Sequence, residues 1–165
     1  MRRLAWLSVA ISMFLSRVVV AADHEVLIAL EPTYGLLSSA ESRHGVGGTA
    51  SAWVGVSDVL WFGASAGGFT FAEARPAPAV RVWETSVGLV LALDVFRWIP
   101  FVEGHLGLVV HGNELIPTVR FGLGVDYLLT PEWFLGAVVR TRPLADPLGD
   151  VLTTVSARVG LRFDL

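Results

Sequence analysis

Nine charged residues stand in runs that are otherwise apolar or small: Glu31, Glu84, Asp94, Glu103, Arg120, Asp126, Arg140, Arg158 and Arg162. Carboxylates and guanidinium groups in a confined space pair bidentately, so mutual neutralisation is the chemistry this set offers first. Other motifs fall away. Gly63-Ala64-Ser65-Ala66-Gly67 matches a nucleophile-elbow formula, but that motif needs a strand, a sharp turn and a helix. Here an alternating run passes straight through it. Glu103, His105 and His111 share one strand face. At the rise of a strand, His111 stands about 20 Å from His105, too far for one metal centre. Gly122-x-Gly124 lacks the third glycine and the helix of a dinucleotide fingerprint. There is no cysteine, hence no thiolate ligand or nucleophile. No catalytic, cofactor-binding or metal-binding residue is therefore expected, and no cofactor.

The segments that must position those charges are short and greasy. Of the 165 residues, 53% are hydrophobic and only 16% charged, whereas a soluble domain is nearer a quarter charged. Mean hydropathy is +0.62. Every basic residue other than histidine is Arg; there is no Lys.

Residues 1–22 read as an export signal. Arg2 and Arg3 supply the positive start, Leu4 to Leu15 the apolar region, and Val20-Ala21-Ala22 the small residues for cleavage before Asp23. Residues 23–165 form the single remaining domain. That domain keeps 9 of the 12 Arg against 15 acids, a formal charge of −6, which argues against nucleic acid as a partner. Beyond the signal, no run reaches the roughly twenty apolar residues that a spanning helix needs.

Eight segments alternate apolar and polar side chains instead: 24–38, 46–57, 59–71, 80–94, 101–111, 118–128, 132–142 and 151–163. Period two is the signature of a strand with different surroundings on its two faces. In the last, Val151, Val155, Val159, Leu161 and Phe163 oppose Thr154, Ser156, Arg158, Gly160 and Arg162. In the sixth, Val119, Phe121, Leu123, Val125 and Tyr127 oppose Arg120, Gly122, Gly124 and Asp126. Strands cross a bilayer only as a closed barrel, which leaves no backbone edge unpaired. The reading is an all-β, eight-stranded antiparallel up-and-down transmembrane β-barrel. Its apolar face meets lipid, and its charges, five acids and four Arg, are shut within a lumen that side chains fill. A filled lumen excludes a wide pore.

Connections are expected to alternate. The stretches 39–45, 72–79, 112–117 and 143–150 are long, while Ser57-Asp58, 96–100 and Thr130-Pro131 are short. Trp61, Phe62, Trp98, Phe101, Tyr127, Trp133 and Phe163 fall near the short-turn end, and Phe69, Phe71 and Trp83 near the other. Two girdles of rings at lipid–water boundaries are the expectation.

The final residues resemble the C-terminal assembly signal of bacterial outer-membrane β-barrels, with Arg158, Gly160, Phe163 and Leu165 at its marked places. That family usually ends on an aromatic residue; here the place is held by Leu165. The turn phrase from Gly124 through Thr130-Pro131 to Trp133 is similar to one in small barrels of the OmpA and OmpX kind. The resemblance implies an outer-membrane address, lipid and the barrel assembly machinery as partners, and a monomer. With no catalytic signature in the residues, the first expectation is a non-enzymatic protein with a structural or surface-contact role. Two alternatives stay open: a barrel enzyme that modifies lipid or lipopolysaccharide using Ser, His and an acid, and a soluble lipocalin-like barrel around an apolar ligand.

Overall fold

The computed structural model describes residues 25–38, 43–72, 80–93, 95–112, 114–143 and 151–164. The proposed signal, residues 1–22, lies outside them, as do Asp94 and Leu165. Every regular element among the described residues is a strand: β1 Glu25–Ser38, β2 Arg43–Gly55, β3 Leu60–Ala72, β4 Val80–Ala92, β5 Trp98–His111, β6 Glu114–Leu128, β7 Trp133–Pro143 and β8 Val151–Asp164. Each pairs antiparallel with its neighbours in sequence, and β8 returns to β1 to close the barrel. Closure matters for a greasy sheet, because it removes the unpaired edge that would otherwise aggregate or face hydrocarbon unsatisfied.

Side chains alternate across this wall in the sense expected. Leu30, Val46, Leu106, Leu115, Phe121, Leu123 and Val155 are each at least half or nearly half exposed on the outside. Glu31, Glu84, Glu103, Arg120, Asp126, Arg140 and Arg158 are buried within. A soluble barrel sorts its residues the other way.

Two expectations need correction. The connections do not alternate strictly between long and short. Residues 112–117 are not a loop: β5 and β6 pair up to His111 opposite Glu114, so the connection is Gly112–Asn113, with Gly112 at a φ of +59°. Glycine takes that left-handed conformation at no steric cost. Pro117 hides the strand in the sequence, yet its exposed position opposite Leu108 lies within the ladder.

The aromatic girdles are also thinner than expected, because Trp61, Phe69, Phe71 and Phe101 point into the lumen. Phe62, Trp83, Trp98, Trp133 and Phe163 do face outward. The inward rings form two apolar layers. Trp53, Trp61, Ala92, Phe101 and Val138 fill the end that carries both termini. Phe69, Phe71 and Leu152 fill the other. Each large ring is matched by a glycine on the facing strand. A methyl group on Gly63 would overlap Trp53, on Gly124 Phe101, on Gly45 Phe71, and on Gly160 Phe134. Small-against-large pairing lets a narrow cylinder hold large rings with little empty space between them.

Candidate functional site: the charged layer of the lumen

Between the two apolar layers lies a belt of ions. Four acids, Glu31, Glu84, Glu103 and Asp126, and four arginines, Arg120, Arg140, Arg142 and Arg158, are all buried there. They come from β1, β4, β5, β6, β7 and β8, and the strand alternation aims each one inward.

Arg140 holds two carboxylates at once, donating to Glu31 and to Glu103. Its Nη2 lies 3.2 Å from each of them as well. Arg158 donates from Nη1 to Asp126 at 3.0 Å, and its Nε lies 3.2 Å from Glu31 Oε1. Arg120 donates to Glu84 at 2.8 Å, and Arg142 takes the second oxygen of the same carboxylate. Each acid thus has at least one guanidinium partner, and Glu31 and Glu84 have two. A charge shut away from water without such partners would cost several kcal/mol, so the belt works only as a set.

Hydroxyl and imidazole groups complete it. Ser51 donates to Glu31 at 3.3 Å, and Thr33 and Ser156 share a 2.7 Å bond. Arg120 Nη2 donates to Ser65 Oγ at 2.9 Å and to His105 Nδ1 at 2.8 Å. With Nδ1 accepting, the ring proton sits on Nε2, 3.4 Å from Glu103 Oε1. Ser86 Oγ also lies 3.1 Å from His105 Nδ1. Ser86, His105 and Glu103 therefore line up in the order of a nucleophile, base and acid. Three features work against catalysis there. Arg120 already occupies Nδ1, Glu103 is bound by Arg140, and apolar layers stand on both sides.

The belt is tied to the termini-side apolar layer through Arg158. Its guanidinium carbon lies 4.7 Å from the centre of the Phe101 ring and 5.6 Å from that of Phe134. Cation–π contact of this kind lets a charge border an apolar layer without losing all its partners. A cavity of about 40 Å³ remains among Trp53, Trp61, Phe101, Phe134, Arg158 and Arg162. That is room for a few waters.

The residues expected at the site are distributed as follows. Glu31, Glu84, Glu103, Arg120, Asp126, Arg140 and Arg158 meet in the belt. Arg162 stands apart at the termini-side rim, partly exposed, 2.6 Å from Glu25 and over the Trp61 ring. Of the terminal-signal residues, Arg158 and Gly160 face inward and Phe163 outward. Arg142 and His105 were missing from the expected network. Arg142 shares the parity of Arg140 two residues earlier, which was the available signal. Arg142 keeps Nε and Nη1 without a partner among the described residues. Among those residues, no three His, Asp or Glu side chains converge as a metal set would.

A closed antiparallel barrel of eight strands, greasy outside and ionic inside, belongs to the architecture of small transmembrane outer-membrane barrels. Known structures agree at the level of fold. Neisserial surface protein A (NspA) superposes with a TM-score of 0.74 at 18% identity, covering 84% of this chain and 97% of its own. Ail, the attachment invasion locus protein of Yersinia pestis, gives a TM-score of 0.62 at 10% identity over 86% and 100%. The outer-membrane enzyme PagL gives 0.52 at 12% identity over 82% and 99%. No protein-family model matches the sequence, and no curated protein matches it in sequence.

Proposed function

We propose that the protein is an integral outer-membrane barrel, exported by residues 1–22 and inserted as a monomer by the barrel assembly machinery. Its role is structural or carried by its surface, without a wide pore and without enzymatic activity. The observation that carries this reading is the inversion of the wall. Val, Leu and Phe face outward on all eight strands, while four acids and four Arg pair inside. Among the described residues, two apolar layers and an ionic belt fill the lumen, which supports the absence of a wide pore. A soluble barrel around an apolar ligand loses its basis, because the interior is charged.

Recovery in the outer-membrane fraction, with a mobility shift between boiled and unboiled samples, is the expected outcome. Recovery in the periplasmic fluid would overturn the reading.

A lipid-modifying activity is the second reading, favoured by the Ser86–His105–Glu103 alignment and by a fold shared with an enzyme. Its test is the lipid profile of cells carrying Ser86→Ala or His105→Ala. A product lost in both variants would replace the non-enzymatic reading; an unchanged profile removes this alternative.

A further inference from the structure

The lipid-facing wall carries basic side chains on one side. Along the outward alternate positions of the eight strands there is no Asp or Glu. Arg81 on β4 and His44 on β2 are the two basic residues there. Both stand at the end away from the termini, one strand apart: His44 lies opposite Ala72 and Arg81 opposite Thr70, with β3 between them. Tyr34 on β1 hydrogen-bonds His44 Nδ1. With that hydroxyl donating, His44 Nε2 keeps its proton and presents a free donor. Arg81 has no carboxylate partner among the described residues.

Directly below these two side chains the wall is recessed. β2 and β3 face each other outward through three rungs of small residues: Gly48 opposite Gly68, Ala50 opposite Ala66, and Ala52 opposite Ala64. On the flanks, β1 contributes Leu30 and Ile28 and β4 contributes Trp83 and Val87, all exposed. The Trp83 ring lies over Gly68, at the head of the furrow. The furrow is two strands wide and runs roughly 13 Å along them at the usual rise. At the usual tilt of such strands the furrow rises about 10 Å, which stays within one leaflet of an apolar band about 25 Å tall.

We propose that this face of β1–β4 is a docking site for a lipid with a phosphate-monoester headgroup in the leaflet on that side. Charge complementarity selects the occupant. A guanidinium and an imidazole N–H at the bilayer boundary, with no acid at the outward strand positions among the described residues, match a phosphate. The small-residue furrow beneath seats an acyl chain of the same molecule. The proposal rests on the outward wall meeting lipid, as argued above.

The experiment uses the full mature barrel in nanodiscs of phosphatidylcholine containing phosphatidic acid as the probe, with co-released lipid counted by native mass spectrometry. Insertion into the discs is scored first and reports on the barrel reading alone. In inserted protein, phosphatidic acid is expected to be retained over phosphatidylcholine. Arg81→Ser should weaken that preference about fivefold, the effect of one cation near a membrane surface. Ala66→Leu, which fills the furrow without touching a charge, should weaken it as well. Arg97→Ser, at the opposite end, should leave it unchanged. Inserted wild type that shows no preference, or a preference equal in Arg81→Ser and Arg97→Ser, overturns the proposal.

Discussion

Arg140 and Glu31 lie 109 positions apart in the chain and meet inside the barrel, joining β7 to β1. The two strands are not neighbours in the sheet, since β8 lies between them. The contact is therefore a strut across the cylinder, and Glu103 extends it to β5. Replacing Arg140 by Leu removes the shared cation and leaves two carboxylates facing each other in a closed space. The expected cost is about 3–5 kcal/mol, the range for breaking a buried pair. Urea unfolding of the barrel in lipid vesicles measures it. Adding Glu31→Gln and Glu103→Gln to Arg140→Leu should recover much of the loss, because the repulsion goes with the charges. A midpoint unmoved by Arg140→Leu would mean that water reaches the belt.

Arg158 reports on the balance of the whole layer. The buried set holds four acids and four Arg, so Arg158→Glu turns it into five against three. Asp126 and Glu31 lose a partner, and Phe101 and Phe134 lose the cation at their ring faces. The expected outcome is a clearly lower melting temperature. Arg158→Met, which deletes the charge without reversing it, should fall between the two. Equal melting of wild type and Arg158→Glu would show that the polar face is not enclosed.

Much of this layer was legible in the sequence because alternation places a residue on a face without further information. In β6 the pattern is unambiguous: Arg120, Gly122 and Asp126 against Phe121, Leu123 and Val125. In β3 it is not. Trp61, Phe69 and Phe71 share the parity of Ser65, while the opposite face holds Leu60 and Phe62 at one end and only Ala, Gly and Thr beyond them. Rings at both ends of such a strand look like girdle residues. Room for them inside comes from glycines opposite them on the adjacent strand, Gly45, Gly47 and Gly55, whose register no single strand reveals. The short connection between β5 and β6 was hidden for a related reason. Glu114 and Pro117 read as loop chemistry, but both sit in a ladder that runs to the strand tips. The salt-bridge partners depend on closure, which brings β8 back to β1 and lets residues from non-adjacent strands meet.

The ring-against-glycine matching makes a packing prediction. Gly124 faces Phe101 across the β5–β6 ladder, and a side chain there would overlap the ring. Gly124→Val should destabilise by about 1–3 kcal/mol through overpacking. Phe101→Ala alone should cost about 3–5 kcal/mol through the space it empties. Residues in contact do not add, so the double variant should cost less than the two together. The same unfolding assay reads all three, and strict additivity would show that the two positions do not share a space.

The outward wall gives the most direct test of what surrounds the barrel. Leu106, 65% exposed, lies near the middle of β5; Leu115, 66% exposed, lies at the loop-side end of β6. In a soluble protein, an Arg at either exposed site would cost little and by similar amounts. In hydrocarbon the cost depends on depth: about 2–4 kcal/mol at the midplane and about 0–1 near the boundary. Leu106→Arg should therefore destabilise the vesicle-embedded barrel strongly and Leu115→Arg weakly, with the unfolding free energy as the readout. The comparison separates lipid from water without reference to any ligand. Two small, equal effects would leave the greasy wall with no hydrocarbon against it, and the ionic belt would then have to be explained as the interior of a soluble protein.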